Sequence, residues 1–179
     1  YRYYHGTRAA FTTFDMEKAQ DGKYGKGFYF TSSKGLAASH SRRGLDDTRE
    51  PRVITAFLAA DGPRRKGFRE YDSQKEFEEN IAFHVENTPW LANREEAIAD
   101  LKNAYDAIVI KGEQAHEIVV FNPSQIKSAD PVTYDDAGNV VPLSERFNEA
   151  SPDIRYRTVT DAAYMAAVKK GNTSPTQKG

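Results

Sequence analysis

Apolar and polar positions change rhythm several times along the chain, and each change predicts an element. Residues 1–5 alternate around Tyr1, Tyr3 and Tyr4 and read as a short strand that Gly6-Thr7-Arg8 would break. Residues 15–19 suit a helical turn. Residues 27–31 read as a buried strand. Ser32 or Ser33 then stands where an N-cap would start a helix over 34–41, with Leu36, Ala37 and His40 on one face. A charged loop is expected over 41–52. Residues 53–60 form a strand pattern that Asp61-Gly62-Pro63 ends. Ser73, with Glu76 three positions on, is a capping-box start for a helix reaching about Val85. Asn93 caps a second helix over 94–104, where Ala97, Ile98 and Leu101 recur at helical spacing. Residues 105–110 and 117–121 are apolar strands joined by a polar loop, 111–116, and Asn122-Pro123 stops the second. Residues 131–142 resemble a hairpin turning at Asp136-Ala137-Gly138-Asn139. Beyond Leu143 the chain turns polar. A short helix fits 160–170, and 171–179 is expected to be disordered.

Strand, loop, strand, helix, strand, helices and hairpin make an α+β order rather than repeated βαβ units. The length predicts one domain over 1–133, with an appendage over 134–179 that combines the hairpin with a polar tail or linker. The chain has no cysteine, which excludes a disulfide scaffold, a thiolate zinc site and a cysteine nucleophile. Its formal charge of −1 argues against bulk nucleic-acid binding and leaves a local patch open. No apolar run approaches the roughly 20 residues of a membrane span, so no membrane partner is expected. The start lacks an initiator Met and a signal-peptide pattern, which predicts a domain cut from a longer chain.

Candidate chemistry gathers at a few positions. In Tyr24-Gly25-Lys26-Gly27-Phe28-Tyr29-Phe30-Thr31-Ser32-Ser33, two glycines sit beside a dense aromatic run. Glycine lets backbone or a flat ligand come close, so the stretch reads as the floor of a ligand site running on to His40. Tyr29 could stack a flat ring or simply fill the core. His5 lies where strand becomes turn, either reaching a ligand hydroxyl or serving as a hydrogen-bonded structural histidine. His40 could close a ring sandwich or be structural. Glu117 heads an apolar strand, where a carboxylate is costly unless it has a partner or a task; the alternative is an edge residue reaching solvent. Glu113 and His116 are rivals in the preceding loop. His5, His40, His84 and His116 show no metal-ligand spacing, and no metal is expected. A nucleophile elbow, a Walker loop and a Rossmann fingerprint are all absent.

Three motifs, Tyr4-His5-Gly6-Thr7-Arg8, Gly25-Lys26-Gly27-Phe28-Tyr29-Phe30 and Glu117-Ile118-Val119-Val120-Phe121, the last backed by Gln125-Ile126, resemble the ADP-ribosyltransferase superfamily in order and spacing. The likeness is to the His-Tyr-Glu class of diphtheria toxin and the poly(ADP-ribose) polymerases, over residues 3 to about 128. Its flavour is that of modules in phage and mobile-element polyvalent proteins. Residues 143–148, 151–156 and 161–168 are similar to segments that follow such modules.

The resemblance implies a split, mainly antiparallel sheet with flanking helices and an NAD cleft. It implies His5 on the adenine-side ribose, Gly6 on the nicotinamide amide, Tyr29 stacked on nicotinamide and Glu117 as the catalytic glutamate. Thr7, Tyr24, Gly27, Phe28, Ser32 and His40 would complete the NAD site. His40 stands where relatives often place a second stacking tyrosine. The loop holding Gly112, Glu113, Gln114 and His116 would read the acceptor. Ala115 stands where arginine-modifying relatives carry Glu or Gln, which disfavours arginine as acceptor.

The function so implied is mono-ADP-ribosyl transfer from NAD to an unknown protein or nucleic-acid acceptor, as a toxin or effector, in the bacterial cytoplasm or delivered into a host cell. The alternatives are an NAD glycohydrolase, a catalytically idle NAD- or ADP-ribose-binding module, and a nuclease-type toxin using His5 or His116.

Overall fold

The computed structural model describes residues 2–9, 11–42, 50–59, 66–142, 145–146 and 152–155. The elements expected at 43–49, 61–63, 160–170 and 171–179 lie outside the described residues. Among the described residues, eight strands and three helices follow in the order β1 (Arg2–Thr7), β2 (Gln20–Gly22), β3 (Gly25–Thr31), α1 (Lys34–Ser41), β4 (Arg52–Leu58), β5 (Phe68–Tyr71), α2 (Gln74–Asn87), α3 (Arg94–Ala104), β6 (Ala107–Ile110), β7 (Glu117–Val120) and β8 (Ile126–Ser128). Short 3-10 turns occupy Met16–Lys18 and Pro123–Gln125.

The helix starts follow their caps. Ser33, Ser73 and Asn93 each accept a hydrogen bond from a first-turn amide, at Leu36, Glu76 and Glu96. The capping box at Ser73 is only half made: the Glu76 carboxylate reaches past the cap to the Asp72 amide.

All eight strands join one open α+β sheet in the order β5-β6-β7-β3-β1-β4-β8, with β2 paired to β3. Every pairing is antiparallel except β5 with β6. The sheet is thus mainly antiparallel, as the resemblance implies, and its parallel pair has a topological reason: α2 and α3 carry the chain back over the sheet, and such a crossover delivers a parallel strand. β1 also runs through Gly6 and Thr7, which pair with Val53 and Arg52, instead of breaking there. The 131–142 hairpin is reduced to one bridge, Tyr134 with Val140, around Gly138 at φ 82°.

The sheet has two apolar faces, set by alternation along β6 and β7. Ile108, Ile110 and Val119 face α2 and α3 and pack with Tyr24, Tyr71, Phe77, Ile98 and Leu101. Ala107, Val109, Ile118 and Val120 face the other way, against Phe14, Phe28, Phe30 and Ile154. Ile154 arrives there because residues 152–155 return to the sheet: its carbonyl accepts from Ser128 N, and its own amide donates to Thr12 O.

The feature that matters for function is the junction of β1 and β3. β1 and β4 pair over six residues, whereas β1 and β3 meet in register only at Tyr4 and Thr31. The sheet therefore parts just beyond this pair. Among the described residues, no helix is long and apolar enough to cross a membrane.

Candidate active site

A cleft of about 580 Å³ opens where the sheet parts, bounded by β1, α1, the β2–β3 hairpin and the head of β7. It brings together His5, Gly6, Tyr29, His40 and Glu117, residues far apart in sequence.

Register explains the arrangement. Thr31 lies opposite both Tyr4 and Glu117, so these three share one face of the sheet. Tyr29, two residues before Thr31, shares it as well. His5 follows Tyr4 and turns to the other face, with its ring 5.2 Å from Phe14 and 5.4 Å from Phe30. Its Nδ1 lies 2.8 Å from the Tyr29 carbonyl oxygen, so the side chain bridges the parted strands. A carbonyl can only accept, hence Nδ1 carries the proton and the neutral ring offers Nε2 as an acceptor. Burial holds the imidazole below its ordinary range, against the opposing bond to Tyr29, and the charge of His40 adds to the drop.

Gly6 is needed for the close approach of α1. A Cβ there would stand 1.9 Å from the Ala37 carbonyl oxygen and 2.9 Å from Ser41 N. The bare backbone of β1 thus lets α1 seat beside the gap, carrying Leu36, Ala37 and the exposed His40 to its rim.

Tyr29 is fixed by its hydroxyl, which donates to Gly25 O at 2.7 Å and accepts from Tyr24 N at 3.1 Å. Burial pushes this phenol up to about 12. The Tyr24 ring lies near-parallel to that of Tyr29, at 6.3 Å and 21°. Tyr24 is fully buried, and its hydroxyl donates to Glu117 Oε2 at 3.2 Å. Lys23 Nζ reaches the same oxygen at 2.9 Å. Burial pulls the Lys23 ammonium down, but Tyr24 and Glu117 more than offset this, so it titrates above its usual range.

The other sequence candidates separate into groups. Thr7, Gly27 and Phe28 line a second cavity of about 350 Å³, which shares His5, Gln20 and Tyr29 with the first. Phe28 is chiefly a core residue, packed edge-on to Phe14. Ser32 clamps the loop before β7: its Oγ accepts from His116 N at 2.8 Å, and its amide donates to His116 O at 3.0 Å. Gly112, Glu113, Gln114 and His116 lie exposed on that loop, beside Glu117 in the chain rather than lining the cleft.

Sequence reasoning missed Lys23 and Gln20, both on the cleft wall. Neither carries a periodic or motif signal; only the pairing of β2 with β3 places them there. Among the described residues, no cluster of His, Asp and Glu could hold a metal ion.

The family model for ADP-ribosyltransferase in polyvalent proteins matches residues 1–134, which span every element from β1 to β8. The chain belongs to this ADP-ribosyltransferase family. No curated protein and no solved structure matches it. In this ADP-ribosyltransferase domain, the matched segment contains His5, Tyr29 and Glu117 together with the whole wall of the cleft.

Proposed function

We propose that the domain is a mono-ADP-ribosyltransferase, which cleaves NAD and passes ADP-ribose to a macromolecular acceptor. The observation that carries the reading is the convergence of His5, Tyr29 and Glu117 on one cleft where the sheet parts. In this reading the nicotinamide end lies between Tyr29 and α1, with the Gly6 backbone beside its amide. Nε2 of the neutral His5 accepts from a hydroxyl of the adenine-side ribose. The second cavity, walled by Phe11, Phe14 and Phe28, suits the flat adenine ring.

The bond that breaks joins C1′ of the ribose to the nicotinamide nitrogen. Its electron pair leaves with nicotinamide, which departs neutral. The sugar becomes an oxocarbenium-like cation. A Glu117 carboxylate that accepts a hydrogen bond from the 2′-hydroxyl and faces this cation stabilises it electrostatically. An acceptor nucleophile then forms the new bond to C1′ and gives up its proton. The clamped loop 111–116 leads directly into Glu117, which suits it to presenting that acceptor.

Labelled NAD incubated with a cell lysate tests the reading. Transfer leaves label on a macromolecule, whereas release of free ADP-ribose alone would assign a glycohydrolase. The exposed position of His40 on α1 favours a second reading. If it cannot clamp nicotinamide, the domain binds NAD without turning it over, and calorimetry would then show binding with no nicotinamide released.

A further inference from the structure

We propose that Lys23 and Tyr24 are positioning residues for Glu117, holding one carboxylate oxygen so that the other is presented to the ribose. The proposal rests on the transferase reading above and adds residues that the three motifs do not contain.

Both contacts end on a single atom. Lys23 Nζ lies 2.9 Å and the Tyr24 hydroxyl 3.2 Å from Glu117 Oε2. Among the described residues, no hydrogen bond reaches Oε1. A carboxylate held by one oxygen from two directions loses its rotation, and its second oxygen stays available as an acceptor. Lys23 also supplies the counter-charge needed by a half-buried carboxylate at the head of a buried strand.

The two holders are themselves braced. The Tyr24 ring is buried edge-on to Phe77 at 5.0 Å, and its amide is tied to the Tyr29 hydroxyl. Lys23 Nζ also donates to Gln74 Oε1 at 3.2 Å, at the start of α2. The hairpin that carries both residues is fastened to α3. Arg94, itself forked onto Glu78, donates to Lys23 O, and Lys102 Nζ donates to Lys26 O at 2.8 Å. Stability is a poor explanation for the Lys23–Glu117 ion pair: its two side chains are 43% and 32% exposed, and pairs of this kind contribute about 0–1 kcal/mol. The bracing makes sense if the geometry serves the reaction, because a carboxylate misplaced by about 1 Å can cost on the order of a hundredfold in rate.

The test compares steady-state nicotinamide release by wild type, Lys23→Met, Lys23→Arg and Tyr24→Phe, with thermal melts alongside. Lys23→Met should lose about tenfold or more in kcat with KM within twofold. Lys23→Arg should regain at least a third of the wild-type rate. Tyr24→Phe should lose a few-fold. Unchanged or faster turnover in Lys23→Met would overturn the proposal, the faster rate by revealing a latch that blocks the site. So would equal losses in kcat and 1/KM that follow the melting temperature. A second arm needs no turnover: the Lys23 ammonium is titrated by NMR in wild type and in Glu117→Gln. Its pKa should fall in the variant, and an unchanged value would refute the pairing. Absence of nicotinamide release by wild type, with that NMR shift present, would instead count against the transferase reading alone.

Discussion

Tyr29 allows its ring and its hydroxyl to be tested separately. Tyr29→Phe keeps the ring and removes the hydroxyl, which joins Gly25 O at 2.7 Å to Tyr24 N at 3.1 Å. Two main-chain groups lose their partner. Leaving a buried group unsatisfied costs about 1–3 kcal/mol; Tyr24 is buried and Gly25 only partly so, and the expected loss is about 1.5–2 kcal/mol in all. For a chain of this size that lowers Tm by roughly 3–8 °C. The phenol titrates at about 12 in the folded state, above its unfolded value of roughly 10. Folding therefore favours the neutral form. That stabilisation is complete below pH ~10 and is lost as the pH rises towards 12, in an amount reduced by solvent screening because the ring is partly exposed. Urea unfolding of wild type and Tyr29→Phe at neutral pH and between pH 10 and 12 should show a gap that narrows across this window. NAD affinity by calorimetry should stay within about threefold for Tyr29→Phe and fall more than tenfold for Tyr29→Ala. Equal stability of Tyr29→Phe and wild type would refute the hydroxyl argument. Equal NAD affinity of Tyr29→Ala and wild type would refute the stacking role.

Three further outcomes follow from the same geometry. Gly6→Ala places a methyl 1.9 Å from a helix carbonyl, so α1 must shift; circular-dichroism melts should show at least about 1–3 kcal/mol of destabilisation, and calorimetry the loss of most NAD binding. Ser32→Ala removes one of the two bonds to His116, so hydrogen exchange at the His116 amide should quicken and label transfer to acceptor should fall, while nicotinamide release without acceptor stays unchanged. Burial keeps the folded-state pKa of His5 below the unfolded value of about 6.5, so its contribution to stability is complete above that pH and is lost below it. The urea midpoint should drop between pH 7 and 5 in wild type, and drop less in His5→Gln.

What could be read from the sequence follows the range of the physics involved. Helix starts were legible because capping is local: Ser33, Ser73 and Asn93 act within three residues of themselves. β6 and β7 were legible because a fully buried strand is an unbroken apolar run. β2 was not, since Gln20-Asp21-Gly22 has no strand pattern and is held by its pairing to β3. β5 was hidden because Arg69 and Glu70 interrupt its apolar pattern, and its register comes from β6 beyond two helices. The order His5, Tyr29, Glu117 could be seen as a resemblance, but the place where the sheet parts is a matter of register between distant strands. Lys23 shows the same limit. It is a lone lysine in sequence, and only the β2–β3 hairpin carries it to Glu117.

The most direct test of the central claim is nicotinamide release from NAD by wild type and by Glu117→Gln. The substitution preserves size and keeps an oxygen for the Lys23 and Tyr24 contacts, but removes the charge that would face the sugar cation. Wild type should release nicotinamide steadily and the variant should lose at least about a hundredfold, a magnitude typical of removing one electrostatic stabiliser of a transition state. Melting behaviour and NAD affinity should be little changed. Equal turnover by the two proteins would contradict the assignment of Glu117 and the mechanism built on it.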